Sequence, residues 1–348
     1  MSFFTHFFRN EKRAEPVVLI DIGTDSVAGA YAKYSESQKP VLFYTKRIPI
    51  SVRHGEPHED AMLRALKALG SALIIEGAPI LIRSSGSGSA NTILVSIDAP
   101  WQKTSVRTEH FEKKISFIFT KSMVSMALEK TGTAPRGTLL ADESIIGTVL
   151  NGYQTHDPYG KRVHRASIII LTSFIDEQVA AGIATTLQGL YHTSHILFIA
   201  GSSLRYQAMR IAFPHERDAL ILDATGSVTS IALVRENLFV ALAEVESTTH
   251  MREWVHKIAH ELSILAQRYP LPRIVFLLAK ESKILSLQKM LGTLPPGTLW
   301  LSDNPPKIVS VLPSHMSGLI YQITTMPPDL QLFLMTLFWQ YHAAEEAR

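Results

Sequence analysis

The sequence predicts an α/β protein of two lobes built to one plan, and three observations carry that reading. The order strand, turn, strand, strand, helix occurs twice, opening first at Val17 to Ile22 and again at Ala219 to Ala224. Each opening run is apolar, carries an Asp at its end (Asp21, Asp223) and is followed by a Gly/Ser/Thr turn. The chain has 348 residues with 46% apolar and 19% charged side chains, enough for about two domains with real cores.

Taken in order, Val17 to Ile22 is a continuous apolar run, as a strand buried on both faces requires. After a turn at Gly23 to Asp25, Ser26 to Tyr34 and Pro40 to Ile50 read as further strands. His58 to about Leu73 is helical, with Met62, Leu66 and Leu69 in register. Arg83 to Asn91 (RSSGSGSAN) reads as a Gly/Ser linker or loop and marks a boundary. Thr92 to Ala99 is strand-like, Lys121 to Glu129 helical, and Glu143 to Tyr153 and Val163 to Thr172 strands. Asp157, Pro158 and Gly160 supply a turn between those two. A helix at Asp176 to Leu190, a strand at Ile196 to Ala200 and a helix at Ser203 to Phe213 complete the first half.

The second half opens with Ala219 to Ala224, a turn at Thr225 to Ser227, and strands at Val228 to Arg235 and Leu238 to Glu244 around a tight Glu236-Asn237 turn. A helix at His250 to Tyr269, a strand at Arg273 to Ala279 and a helix at Ser282 to Leu291 follow. A Pro/Gly-rich segment, Pro295 to Pro306, precedes a strand near Ile308 to Leu312. The last helix, Leu330 to Tyr341, is apolar nearly all round and is expected to pack as core against the second lobe.

The two turns are the candidate site. A strand that delivers an Asp into a tight Gly/Ser/Thr turn lines up backbone N–H groups and hydroxyls for an anion, while the carboxylate can hold Mg²⁺ that bridges to phosphate. A single such turn is most often an ordinary hairpin; two at matching places in a duplicated topology point to a nucleotide clamp. The candidate cofactor-binding residues are Asp21, Gly23, Thr24, Asp25 and Ser26 from the first turn and Asp223, Thr225, Gly226 and Ser227 from the second, with Asp21 and Asp223 as the metal candidates.

DIGTDSV (Asp21 to Val27) resembles the first phosphate motif of the actin-like ATPases, and DATGSVTSIALV (Asp223 to Val234) their second. The segment Ser144 to Thr172, with Asn151-Gly152-Tyr153 and Pro158-Tyr159-Gly160-Lys161, is similar to the inserted subdomain of the FtsA/PilM group within that superfamily. The resemblance covers about residues 16 to 245. It implies an actin-like (ribonuclease H-like) duplicated fold: an N-terminal aromatic and basic segment at 1–15, a first lobe at 16–85 and 173–218, an inserted subdomain at 86–172, and a shortened second lobe at 219–348. It also implies ATP with Mg²⁺ as the cofactor class.

Three departures point to a degenerate nucleotide site without a catalytic residue. Thr225 stands where the family's second turn has glycine, which lets backbone approach phosphate closely. Ala279-Lys280-Glu281-Ser282 replaces the Gly-Gly turn against which adenosine lies. Between Glu244 and Arg273 there is room for about one helix, so the outer subdomain of the second lobe is missing. Positioning and charge clamping carry phosphoryl transfer, and an open cleft supplies neither. The expectation is therefore a PilM-like cytoplasmic scaffold of a membrane-associated assembly, of pilus or secretion type, with weak or no ATP turnover. Its partner would be a protein, the cytoplasmic tail of an inner-membrane protein. An FtsA-like division tether and an active ATPase or kinase of the same superfold are the alternatives.

A net charge of +3 implies no nucleic-acid surface, and the absence of cysteine excludes disulfides and thiolate metal sites. At the N-terminus, Phe3, Phe4, Phe7 and Phe8 share a helical face followed by Arg9, Lys12 and Arg13; docking on the protein itself and peripheral membrane contact both stand. His256 and His260 share a helix face but lack any further ligand in pattern, and read as exposed. Lys161, Arg162, His164 and Arg165 form a basic hairpin, solvated or facing an acidic partner or lipid headgroups. Homo-oligomerisation stays open.

Overall fold

The computed structural model describes residues 16–345 apart from 36–37, 87, 131–133, 156, 248–249, 295–298, 301–303 and 324–326. The aromatic N-terminal segment, and most of the Pro/Gly-rich stretch from Pro295, lie outside the described residues.

Two sheets share one plan. In the first, β1 (Val17–Ile22), β2 (Ser26–Ser35) and β3 (Gln38–Pro49) form an antiparallel meander, and β4 (Thr92–Ile97) and β9 (His195–Ala200) add in parallel on the other side of β1. In the second, β10 (Ala219–Ala224), β11 (Val228–Arg235) and β12 (Leu238–Glu246) repeat the meander, and β13 (Ile274–Ala279) and β14 (Lys307–Ser310) repeat the parallel additions. The orders β3-β2-β1-β4-β9 and β12-β11-β10-β13-β14 are equivalent strand by strand. Both opening strands are apolar runs because each is covered on both faces. The tight turn between β11 and β12 places Glu236 and Asn237 at positive φ, 49° and 65°, as a two-residue hairpin turn demands.

The third sheet lies between β4 and the helix α4 (Glu177–Tyr191) in sequence. Its order is β5 (Gln102–Ile118), β8 (Arg162–Asp176), β6 (Thr138–Leu150), β7 (Tyr153–Gln154), all antiparallel. Helix α3 (Lys121–Glu129) covers one face through Met123, Val124 and Ala127, packed on Ile168 and Ile170. Two boundaries differ from the sequence reading. Thr92–Ile97 pairs with β1 in the first sheet, so the separate sheet opens at Gln102 and not at residue 86. Its strand β8 continues to Asp176, whose side chain then caps α4 by accepting from the N–H groups of Gln178 (2.9 Å) and Val179 (3.0 Å).

Helix α1 (His58–Ala72) runs through a π-helical turn, Leu73–Gly77, into α2 (Ala78–Ser85), so the expected loop at Arg83 starts only after Gly86 ends α2 at φ 77°. The rod His58–Ser84 is long and apolar enough to cross a membrane by length and composition. In this fold Met62, Leu66, Leu69 and Leu73 are buried against Val18, Ile20 and Tyr31 of the first sheet, alongside α4. The second sheet is covered on its outer face by α6 (Met251–Arg268) and α7 (Glu281–Leu291), through Trp254, Ile258, Leu262 and Ile284.

Between the two sheets lie α5 (Gly201–Ala212) and α8 (Leu330–Glu345). Leu332, Phe333, Leu334, Met335, Leu337, Phe338 and Trp339 of α8 are all buried, in one cluster with Leu19 and Ala30 of β1 and β2 and Ile221 and Phe276 of the second sheet. Each such side chain stabilises by about 1.5–3 kcal/mol on burial, which accounts for a helix apolar on every side. It corrects the expected placement: α8 packs on β1, β2, β3 and α5, and Tyr321–Gln322 (β15) joins the first sheet beside β3. The chain after about residue 313 thus returns to the first lobe and does not complete the second. Among the described residues, α6 alone stands between β12 and β13, in keeping with a shortened second lobe.

Candidate functional site

The duplicated topology sets the ends of β1 and β10 against each other. Asp21 and Asp223 are both next to last in their strands, and both are buried. The turns that follow touch. The Thr24 hydroxyl donates to the Ala99 carbonyl at 2.8 Å and accepts from the Ser227 backbone N–H at 3.0 Å, with Ser227 Oγ at 3.2 Å. A Cβ at Gly226 would lie 3.4 Å from Thr24 Oγ1, an ordinary contact, so the two turns touch without requiring glycine there. Thr225 of the second turn is engaged within its own lobe: its N–H and hydroxyl both donate to Asp223 Oδ1, at 3.1 and 2.5 Å.

Two arginines hold the carboxylates. Arg205, on the buried helix α5, forks between lobes: its Nη1 and Nη2 bind Asp98 at 3.2 and 2.6 Å, and its Nε binds Asp223 Oδ2. Asp98 follows β4, so this one guanidinium ties the first sheet to the second. Gly201 makes the space, because a Cβ there would overlap the Asp98 carboxylate. Arg47, on β3, reaches Asp21 Oδ2 at 3.1 Å, Ser26 Oγ at 2.9 Å and both oxygens of Asp329 at 2.7 and 3.0 Å. Asp329 also caps α8, accepting from the N–H groups of Gln331 (3.1 Å) and Leu332 (3.2 Å). Lys280 crosses from the end of β13 to pair with Asp25 of the first turn.

The electrostatics of the two sides differ. Burial pushes the Asp21 carboxyl up to about 6, against the pull of Arg47, with Asp98 and Asp329 raising it further. Its Oδ1 is buried without a hydrogen-bond partner. Burial also raises Asp98, opposed chiefly by Arg205. Lys280 is lowered by burial and then by Lys283.

No family model and no curated protein matches the sequence. Solved structures do. The PilM–PilN type IV pilus biogenesis complex superposes with a TM-score of 0.58 at 14% identity, over 97% of this chain and 100% of that chain. A Bacteroides thetaiotaomicron protein described as having an actin-like ATPase fold and unknown function gives 0.48 at 9% identity, over 93% and 96%. The chain has the actin-like ATPase fold.

In actin-like terms, the cleft between the lobes is where the sequence-predicted site residues meet. A cavity of about 540 Å³ is lined by Asp21, Gly23, Asp25 and Ser26 of the first turn, Thr225 of the second, and Lys280 and Glu281 of the segment that replaces the glycine floor. Its size is within the range of small-ligand sites. The residues do not fit a Mg²⁺ ion between the turns: of the four carboxylate oxygens on Asp21 and Asp223, three already accept from Arg47, Arg205 or Thr225. An ion there would also sit beside two guanidinium groups. Thr24 and Ser227, read as phosphate contacts, are turned toward each other instead. Among the described residues no cluster of three metal-ligating side chains occurs, and His256 and His260 are exposed.

Sequence reasoning missed Arg47, Asp98, Arg205 and Asp329. Arg205 left one trace. It sits amid Leu204, Tyr206, Ala208 and Met209 on a helix that is buried around it, and a charge in such a place needs a buried partner.

Proposed function

We propose that this protein is a PilM-like scaffold of a membrane-associated assembly, of pilus or secretion type, acting on the cytoplasmic side with weak or no ATP turnover. The observation that carries the reading is the occupation of Asp21, Asp98 and Asp223 by Arg47 and Arg205. The protein's own cations stand where a nucleotide-bound metal would have to act, and phosphoryl transfer needs that metal to neutralise developing charge. Hydrogen bonds between the two turns further join the lobes without a ligand. Lobes tied to each other by their own side chains suit a rigid platform, and the matching PilM structure is itself a complex with PilN. The partner under this reading is the cytoplasmic tail of an inner-membrane protein, held as an extended peptide or a helix in a groove.

Calorimetric titration of ATP with and without Mg²⁺ tests the nucleotide half. We expect dissociation constants no tighter than about 100 μM, a binding free energy of roughly −5.5 kcal/mol, and no gain on adding Mg²⁺. A micromolar, Mg²⁺-dependent constant would overturn it. Co-purification of the full chain with inner-membrane proteins tests the partner half; recovery of the chain with no membrane protein attached would count against it.

A further inference from the structure

The four-stranded sheet ends in a surface unlike the rest of the molecule. There β8 begins at Arg162, opposite Ile118, and β5 makes an irregular excursion, Lys113 to Ser116, before it pairs again at Glu112–Arg165. The same end holds the Asn151-Gly152 turn and Tyr153, because Leu150 pairs with both Ala166 and Tyr153. It also holds the start of α3, where Lys121 lies 5.7 Å from the Tyr159 ring centroid.

Residues 110–121 and 150–165 contain six cations, Lys113, Lys114, Lys121, Lys161, Arg162 and Arg165, and two carboxylates, Glu112 and Asp157. That surplus of four charges exceeds the +3 of the whole chain, so the remainder is near neutral. All six cations are exposed. Arg165 pairs with Glu112 at 3.0 Å, both well exposed. Of the others, Lys113 lies 5.4 Å from the Phe117 centroid, Lys161 Nζ is 3.0 Å from Thr155 Oγ1, and Arg162 Nη1 is 3.5 Å from Ser116 Oγ. Among these cations stand Ile115, 82% exposed, and Tyr153, 80% exposed. A single exposed apolar side chain is ordinary. Two that project this far from neighbouring loops, inside the molecule's main positive surplus, are a combination that the bilayer interface selects.

We propose that this end of the sheet docks on an anionic lipid bilayer, with the cations over acidic headgroups and Ile115 and Tyr153 within the headgroup layer. A bilayer fits better than an acidic protein. Ile115 and Tyr153 project outward as separate side chains, and a headgroup layer accepts such residues without the complementary pocket that a protein partner must provide. Lysines stacked on rings are also available for lipid, since no carboxylate has to be displaced from them. The inference does not depend on the scaffold reading; it would hold for any function of the cleft.

The test uses the full chain and vesicles. With phosphatidylcholine vesicles containing about 30% phosphatidylserine, at about 0.1 M salt where screening is moderate, the wild type should pellet. It should not pellet with phosphatidylcholine alone. Removing charge costs about fivefold in partitioning per cation near the surface. The variant Lys113→Ala/Lys114→Ala/Arg162→Ala should therefore bind about a hundredfold more weakly. Ile115→Ser/Tyr153→Ser should lose several-fold on vesicles and nothing on soluble poly-glutamate. Three results overturn the proposal. The first is a wild type that stays in the supernatant with anionic vesicles. The second is a triple variant that pellets like wild type, which would move the contact elsewhere, for instance to Arg9, Lys12 and Arg13. The third is poly-glutamate binding as strong as vesicle binding with no effect of the Ile115/Tyr153 change, which would assign the surface to an acidic protein.

Discussion

The two Asp-bearing strand ends are equivalent in topology and unequal in chemistry. At β10, Asp223 is fully satisfied: one oxygen accepts from Thr225, the other from Arg205, and the guanidinium is itself buried and completed by Asp98. At β1, Asp21 is just as buried, yet one oxygen has no partner and its arginine lies at the cleft mouth, with a third of its side chain exposed. Duplication reproduces a backbone path, because strand order follows from where apolar runs can pair. It does not reproduce the cations, which come from single side chains on unrelated elements, β3 for Asp21 and α5 for Asp223, both ahead of β10 in the chain. The β10 end is a sealed internal ion cluster; the β1 end remains electrostatically incomplete.

The largest test of this contrast compares the two arginines. Arg205→Ala leaves two buried carboxylates unpaired and should cost about 3–5 kcal/mol of unfolding free energy. Arg47→Ala, at a partly solvated site, should cost about 1–2 kcal/mol after allowance for screening. Denaturant unfolding of both variants reads the difference, and equal losses would dissolve the distinction.

A smaller effect concerns protons. The folded-state value of Asp21, about 6, lies above that of an ordinary aspartate, so the folded protein holds this proton more tightly than the unfolded chain does. Asp21 then contributes stability that is full below about pH 4 and fades as the pH rises through 6. Measured against Asp21→Asn, which cannot ionise, the wild type should lose on the order of 2–3 kcal/mol between pH 4 and pH 7.5. A difference that stays flat across that range would show that the β1 side is as well compensated as the β10 side.

The smallest expected effect lies where the halves meet. Thr24→Val keeps shape but removes the acceptor for the Ser227 N–H and the donor to Ala99. A loss of about 1–2 kcal/mol is expected from thermal or denaturant unfolding. No loss would mean that the turns are held by the arginines alone.

Much of this fold is legible in the sequence, and for an identifiable reason. Val17 to Ile22 and Ala219 to Ala224 are uninterrupted apolar runs bounded by turn residues, and α3 has clear helical spacing, so local pattern suffices to place them. The strand β5 was not readable. As a sheet edge it carries polar residues on both faces, Arg107 and Glu109 on one and Thr108, His110 and Glu112 on the other, so no period-two signal survives. The α2 helix was hidden because the Gly/Ser tract beside it suggested that the chain breaks earlier. At the site, the turns were legible because glycine, serine and threonine mark them. The arginines that decide its chemistry were not, since a lone Arg carries no motif and its partners lie far off in sequence: Arg205 meets Asp98, and Arg47 meets Asp329.

The position of α8 has a consequence for how the molecule is made. The inner face of β1 is closed by side chains that leave the ribosome roughly three hundred residues after Val17, whereas domains emerging from synthesis ordinarily fold as they appear. Until Leu332 to Trp339 have been translated, Leu19 and Ala30 lack their cover on that side. The nascent first half must therefore wait, with apolar surface exposed, for its own tail to arrive.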